Sequence, residues 1–307
     1  MVAMPATRPT AHWSPTDIGD LTGRTALITG GNSGIGLETA RVLVGHGARV
    51  ILAGRDQAKL DRAVGTLSGG RMDTLAVDLG SLASIAAATD RLAATETIDV
   101  LINNAGVMNV PERRTTADGF ELTFGTNHLG HFALTAGLLP ALRRAEAARV
   151  VTVSAMAARW GVGRLDDLMS EQRYGGMRAY AKSKRANVVF TRELARRLSG
   201  TNIAAVVVHP GSAVTNLQRQ RQGVLDRAAV ALARVLLMGS PEGAAWPSLW
   251  ASTSADIVSG GFYGPAGRDQ TAGAPIPAKL PRGADDPAEG LRLWQESERL
   301  TGVRFAI

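Results

Sequence analysis

Two side chains four residues apart, the first and last of Tyr180-Ala181-Lys182-Ser183-Lys184, carry the most direct chemical suggestion in the sequence. A helical pattern continues from there through Leu198, so Tyr180 and Lys184 share one helix face. A tyrosine ionising at its ordinary value of about 10 is a poor base near neutrality, and a close ammonium stabilises its phenolate. Bringing it down to about 7 takes about 4 kcal/mol of differential interaction. The spacing predicts Tyr180 as a general acid/base with Lys184 as its electrostatic partner. A surface Tyr and Lys on an ordinary helix would show the same spacing, so the pair needs a second signal beside it.

That signal is Thr29-Gly30-Gly31-Asn32-Ser33-Gly34-Ile35-Gly36. A glycine cluster alone can be a flexible turn. Here it follows an apolar strand and opens a helix running toward His46, in the register of one βαβ unit. Glycine lets the backbone approach a pyrophosphate, and the amides at the helix N-terminus favour an anion. The turn predicts a dinucleotide held by Gly30, Asn32, Ser33, Gly34, Ile35 and Gly36, and an oxidised nicotinamide would add positive charge near Tyr180. The second strand ends Ala53-Gly54-Arg55, with Gly54 where an NAD site usually carries a carboxylate and Arg55 offering a planar fork to a 2′-phosphate. NADP is therefore expected, with NAD as the alternative. Asp56 is a competing reader of the ribose, but its place before a helical pattern predicts N-capping.

The elements that must position these groups can be read from periodicity. Apolar runs at Thr25-Thr29, Arg49-Ala53, Thr74-Val77, Val100-Ile102, Val150-Val153, Ala204-Val208 and Gly261-Tyr263 predict strands, with helices between them. The runs do not alternate with polar residues, which implies strands covered on both faces. The expected fold is α/β, a doubly wound Rossmann parallel sheet of about seven strands with helices on both faces. Length permits two domains, but no linker divides the 307 residues, and one domain over 21–307 is expected. Residues 1–20, with Pro5, Pro9 and Pro15, read as a mobile arm and resemble neither a signal peptide nor an anchor. Residues 265–307 read as a wrapping tail ending in a helix. Asp286 would cap that helix, Pro287 would start it, Gly302 would close it, and Leu291, Trp294 and Leu300 would dock it.

Composition excludes several chemistries. With no cysteine there is no disulfide, thiolate metal site or cysteine nucleophile. The net charge of +7 raises nucleic acid as a partner. However, Arg113-Arg114, Arg143-Arg144 and Arg196-Arg197 are scattered and lack interleaved aromatics, so no nucleic-acid partner is expected. No apolar run of about eighteen residues occurs, which predicts no membrane span and a cytoplasmic protein. His128 and His131, three apart, are expected to pack and not to bind a metal, and His209 to pack at a strand end.

Together these segments resemble the short-chain dehydrogenase/reductase family from about Arg24 to Tyr263. The resemblance implies that Asp78 and Leu79 contact the adenine and that Asn104, Ala105 and Gly106 lie along the cofactor. It also implies that Asn127 holds a proton-relay water, and that Pro210, Gly211 and Thr215 hold the nicotinamide amide. The stretch containing Asp166-Asp167-Leu168 and the ending Leu293-Trp294-Gln295-Glu296-Ser297-Glu298 are similar to the retinol-dehydrogenase-like and protochlorophyllide-reductase-like branch. That branch implies hydride exchange between NADP(H) and a lipophilic carbonyl or alcohol, and the family implies a homo-oligomer. An amphipathic stretch at 216–239 with Leu232 and Leu236 would then be a lid over an apolar substrate or a cover for the core, and Met156 and Trp160 could line the same pocket.

One position departs from the family. Its fifth strand usually ends in two serines, the second bonding the reacting oxygen, whereas this chain reads Val153-Ser154-Ala155-Met156. Ser154 could replace the missing hydroxyl only if the strand end bends, because neighbouring side chains point to opposite faces. The departure leaves a second expectation, a cofactor-binding pseudoenzyme or NADP(H) sensor with little turnover.

Overall fold

The structure, a computed structural model, describes residues 13–160, 165–211, 241–267 and 270–307. Strands β1 (Thr25–Thr29), β2 (Arg49–Gly54), β3 (Met72–Ala76), β4 (Val100–Asn103), β5 (Ala148–Val153), β6 (Ile203–Val208), β7 (Phe262–Pro265) and β8 (Pro275–Pro277) form one sheet. Their order is β3-β2-β1-β4-β5-β6-β7-β8. All neighbours are parallel except β7 and β8. The winding direction reverses between β1 and β4, and the crevice beyond the carboxyl ends of these strands is where such sheets bind ligands.

The helices are α1 (Gly34–Gly45), α2 (Gln57–Val64), α3 (Leu82–Thr95), α4 (Leu122–Phe124), α5 (Gly130–Gly137), α6 (Leu139–Arg143), α7 (Gly176–Arg197), α8 (Pro241–Thr253) and α9 (Pro287–Thr301), with a π turn at Gly125–Leu129. Successive strand residues point to opposite faces. Ile28, Val50 and Val206 therefore pack with Leu43 of α1, Leu60 of α2 and Leu249 of α8. Leu27, Ile51 and Val207 pack on the other side with Ile85 of α3, Phe132 of α5, Val188 of α7 and Trp294 of α9. With both faces covered, apolar runs without alternation are what the strands require. Among the described residues, no helix is long and apolar enough to cross a membrane.

Three expectations are corrected. Residues 13–20 are not a free arm: Trp13 and Ile18 are only 8% and 6% exposed, and the Trp13 ring meets Trp246 edge-on at 6.1 Å. Prolines rule out an ordinary helix there but permit the 3-10 turn Pro15–Asp17, which follows Ser14. Part of the supposed irregular tail is an eighth strand, antiparallel to β7, with Gly264 opposite Ile276. Its prolines lack N–H groups and are tolerated because the strand lies at the sheet edge. In α9, Leu291 is 44% exposed while Leu293 and Trp294 are buried, because the buried stripe runs through Gly290, Leu293, Trp294, Ser297 and Thr301 at spacings of three and four and Leu291 falls outside it. The rest of that helix follows the sequence signals, with the Asp286 carboxylate accepting from Ala288 N–H at 2.9 Å and Gly302 at φ 68°.

Candidate active site

The glycine turn links β1 to α1 at the switch point. Gly30 has φ +66°, and a β-carbon there would lie 3.0 Å from the Ala105 Cα. At Gly36 it would lie 2.6 Å from both Asn104 Nδ2 and Gly30 O. Only glycine lets the two turns, 29–36 and 103–106, touch. Asn104 Nδ2 donates to Thr29 O at 2.8 Å and clamps them together. α1 is entered without a side-chain cap on Ser33, whereas Asp56, Ser81 and Asp286 cap α2, α3 and α9. The first-turn amides of α1, including those of Gly34, Ile35 and Gly36, are left to an anionic ligand. The cradle therefore fits a pyrophosphate.

At the other end of the crevice Arg55 is exposed and forms no ion pair among the described residues. Asp56 caps α2 through Lys59 N–H at 3.1 Å, as its position implied. Asn32 and Ser33 border a cleft of ≈ 430 Å³ that Lys59 and Arg62 also line. These two cations come together with the turn only because α1 and α2 cover the same face of the sheet, so the sequence pattern does not single them out. Asp78 is exposed, and its carboxylate accepts from Gly80 N–H at 2.9 Å. The Leu79 side chain is 8% exposed and belongs to the core.

At the reacting end, β5 and α7 bring Ala155, Tyr180 and Lys184 together. Lys184 Nζ donates to Val153 O at 2.9 Å and lies 5.9 Å from the Tyr180 ring centroid. A β-carbon on Gly106 would meet Lys184 Nζ at 3.5 Å and Asn127 Oδ1 at 3.2 Å, so these residues converge where the cofactor crevice reaches Tyr180. The expected lowering of the phenol is not produced by the protein's own groups. Burial pushes Tyr180 up to about 12 and Lys184 down to about 8, because desolvation opposes both charged forms.

Asn127, 0% exposed, lies in the π turn. Its Oδ1 accepts from Val107 N–H at 2.7 Å. Its Nδ2 donates to Val107 O and Ser183 Oγ, both at 2.9 Å. The carboxamide is spent on structure, which leaves the main-chain carbonyl as the group available to a relay. Ser154 is corrected as a candidate: its hydroxyl donates to Lys184 O at 2.7 Å and is 1% exposed. The strand end does not bend to bring it round, and it is Ala155 that shares an apolar cluster with Tyr180, Ala157 and Ala181.

Pro210 and Gly211 are half-buried at the end of β6, where Gly211 N–H donates to His209 Nδ1 at 3.3 Å. Thr215 and the stretch 216–239 lie outside the described residues. Met156 is half-buried, and the Trp160 ring is 59% exposed. His128, His131 and His209 are buried, and burial lowers them to about 3, 4 and 4. Among the described residues no group of three potential ligands could hold a metal.

A family model described as short chain dehydrogenase matches residues 24–224. The chain is 39% identical over 305 residues to retinol dehydrogenase 14 of Mus musculus, covering 94% of this chain and 88% of that one. It is also 39% identical over 292 residues to human retinol dehydrogenase 13, covering 92% and 85%. Among solved structures, an uncharacterized protein from Mycobacterium paratuberculosis superposes with a TM-score of 0.79 at 38% identity, covering 96% of this chain and 99% of that one. An NADP active-site complex of Pseudomonas aeruginosa RhlG superposes with a TM-score of 0.63 at 28% identity, covering 79% and 94%.

Proposed function

Because the chain belongs to the short-chain dehydrogenase/reductase family, in its retinol-dehydrogenase-like branch, we propose that it transfers a hydride between NADP(H) and a lipophilic carbonyl or alcohol. The observation that carries this reading is the convergence of Tyr180, Lys184, Asn127 and Gly106 at the end of a crevice whose other end is a glycine turn. The nicotinamide, when bound, is the hydride donor or acceptor. Gly30 and the first-turn amides Gly34, Ile35 and Gly36 hold the pyrophosphate, and Asn104, Ala105 and Gly106 line the path toward Tyr180. Three features support NADP: no carboxylate at Gly54, an Arg55 that forms no ion pair among the described residues, and Lys59 and Arg62 on the adjoining cleft. The names of the relatives support an apolar alcohol or aldehyde, and Met156 and Trp160 offer apolar surface beyond Ala155.

Tyr180 is the proton carrier. A phenol held up to about 12 is loaded as an acid, the form that protonates a developing alkoxide during carbonyl reduction. Lys184, fixed by Val153 O, brings positive charge beside the phenol and an N–H for the ribose. A panel of apolar aldehydes with NADPH tests the reading: turnover abolished by Tyr180→Phe is the expected result. Tight NADPH binding with no turnover on any member would favour a sensor instead. A direct titration showing tighter NAD than NADP binding would overturn the cofactor assignment.

A further inference from the structure

Resting on that reading, we infer that His131 is a positioning residue that fixes the Asn127 main-chain carbonyl relative to both cofactor-facing turns. His131 Nδ1 lies 3.0 Å from Asn127 O, and Nε2 lies 2.9 Å from Thr29 Oγ1. Thr29 Oγ1 in turn accepts Asn104 N–H at 2.9 Å and Ala105 N–H at 3.0 Å. Thr29, His131 and Asn127 are at most 1% exposed, so no bulk water substitutes for these bonds.

The direction of each bond follows from hydrogen-bonding capacity. A carbonyl oxygen only accepts, so Nδ1 carries the imidazole proton. Burial keeps the ring neutral near pH 7, so Nε2 is an acceptor and the Thr29 hydroxyl donates to it. The competing acceptor, Ile102 O, is farther from Thr29 Oγ1, at 3.3 Å. Both Thr29 lone pairs are then free for the amides of Asn104 and Ala105. One chain of bonds runs from the turn after β4, through the end of β1 and a ring on α5, to the Asn127 carbonyl.

Packing alone does not explain this histidine. Its neighbours Phe132 and Leu134 fill the core, and a phenyl ring would fill similar volume without a buried polar group. The Asn127 carbonyl, in contrast, needs a fixed donor. It lies in a π turn where Gly130 N–H bonds Gly125 O, so the ordinary backbone ladder is displaced around it. The carboxamide of Asn127 is consumed by Val107 and Ser183. His131 thus fixes the Asn127 carbonyl through one lone pair while the second is left for a relay, and ties it to turns already in contact at Gly30 and Ala105.

The test uses the full chain and two variants. His131→Phe keeps the ring and loses both bonds; His131→Gln offers an amide N–H and a carbonyl in their place. His131→Phe is expected to lower kcat by roughly tenfold to a hundredfold with the carbonyl KM within about twofold, and to shift the pH profile of kcat. His131→Gln is expected to recover most of the loss. Wild-type kcat and pH profile in His131→Phe, with Tyr180→Phe inactive, overturn the inference but leave the proposed activity standing. Turnover retained in Tyr180→Phe overturns the activity instead. Two readouts need neither turnover nor cofactor. Imidazole ¹⁵N shifts of the wild-type protein are expected to show the Nδ1–H tautomer, and an Nε2–H tautomer overturns the inference. Amide exchange at Asn104 and Ala105 is expected to quicken about tenfold in His131→Phe, or in His131→Gln should the former not fold; unchanged exchange where the bonds are lost overturns the coupling.

Discussion

Replacing Ala155 with serine places a hydroxyl on the backbone position that faces Tyr180. The site can accept it. Ala155 has φ −153° and ψ 162° and precedes the 3-10 turn Met156–Arg159, a location where serine is favoured as a cap. An oxyanion donor removed from an active site costs about 2.7–4 kcal/mol of transition-state stabilisation. Adding one where it is missing has that as its ceiling. The new hydroxyl can also bond the first amides of the 3-10 turn, and giving up such a cap costs about 1 kcal/mol. The net gain is about 2–3 kcal/mol, which at 1.36 kcal/mol per factor of ten is a rise in kcat/KM of roughly thirtyfold to a hundred and sixtyfold.

The assay is kcat/KM across apolar aldehydes with NADPH, in parallel with Ser154→Ala. That second variant removes the bond to Lys184 O, a carbonyl that keeps its ladder bond within α7, so it should lower unfolding free energy by about 0.5–1.5 kcal/mol. It should change kcat/KM far less than the Ala155 variant does. Ala155→Ser leaving kcat/KM within about twofold on every accepted substrate, while Tyr180→Phe abolishes turnover, would refute the missing-hydroxyl argument and point to a donor from another element.

Arg55→Asp should raise the Kd for NADP by roughly tenfold to a hundredfold and that for NAD much less, read by direct titration. Lys184 is lowered to about 8 in the fold, so the unfolded chain binds more protons between there and its ordinary range. Stability should therefore rise with pH above about 8, by at most about 1.4 kcal/mol per pH unit, and urea unfolding of Lys184→Met should lose that slope. The measurement belongs below about pH 10, since Tyr180, raised to about 12, contributes the opposite slope above it. Trp294→Ala opens the ring cluster with Phe132, Phe190 and Phe305 and should cost about 3–5 kcal/mol in chemical denaturation. Glu289→Gln leaves Arg185, its partner at 2.8 Å with both side chains 7% exposed, as an unpaired buried charge. It should cost about 3–5 kcal/mol and speed proteolysis of the C-terminal helix.

What the sequence discloses about this molecule is what one segment decides for itself. Thr25–Thr29 carries only apolar and β-branched residues and is buried at every position because both its faces are covered, Asp56 and Asp286 cap because each begins a helix, and the spacing of Tyr180 and Lys184 puts both on one face. Each of these is settled within a few residues. Trp13 reads as part of an arm because its partner Trp246 lies near the other end of the chain, and Pro275–Pro277 reads as loop because only a neighbouring edge, β7, makes it a strand. The ionisation of Tyr180 is of the same kind. Helix spacing brings a lysine within reach, but Val153, from a different strand, supplies the carbonyl that engages the ammonium, and burial by the surrounding elements then outweighs the charge. The same distinction separates Ser154 from Ala155. Strand parity says that they face opposite ways, but only the position of α7 across the end of β5 says which way is the site, and it directs the hydroxyl to Lys184 O and the methyl to Tyr180.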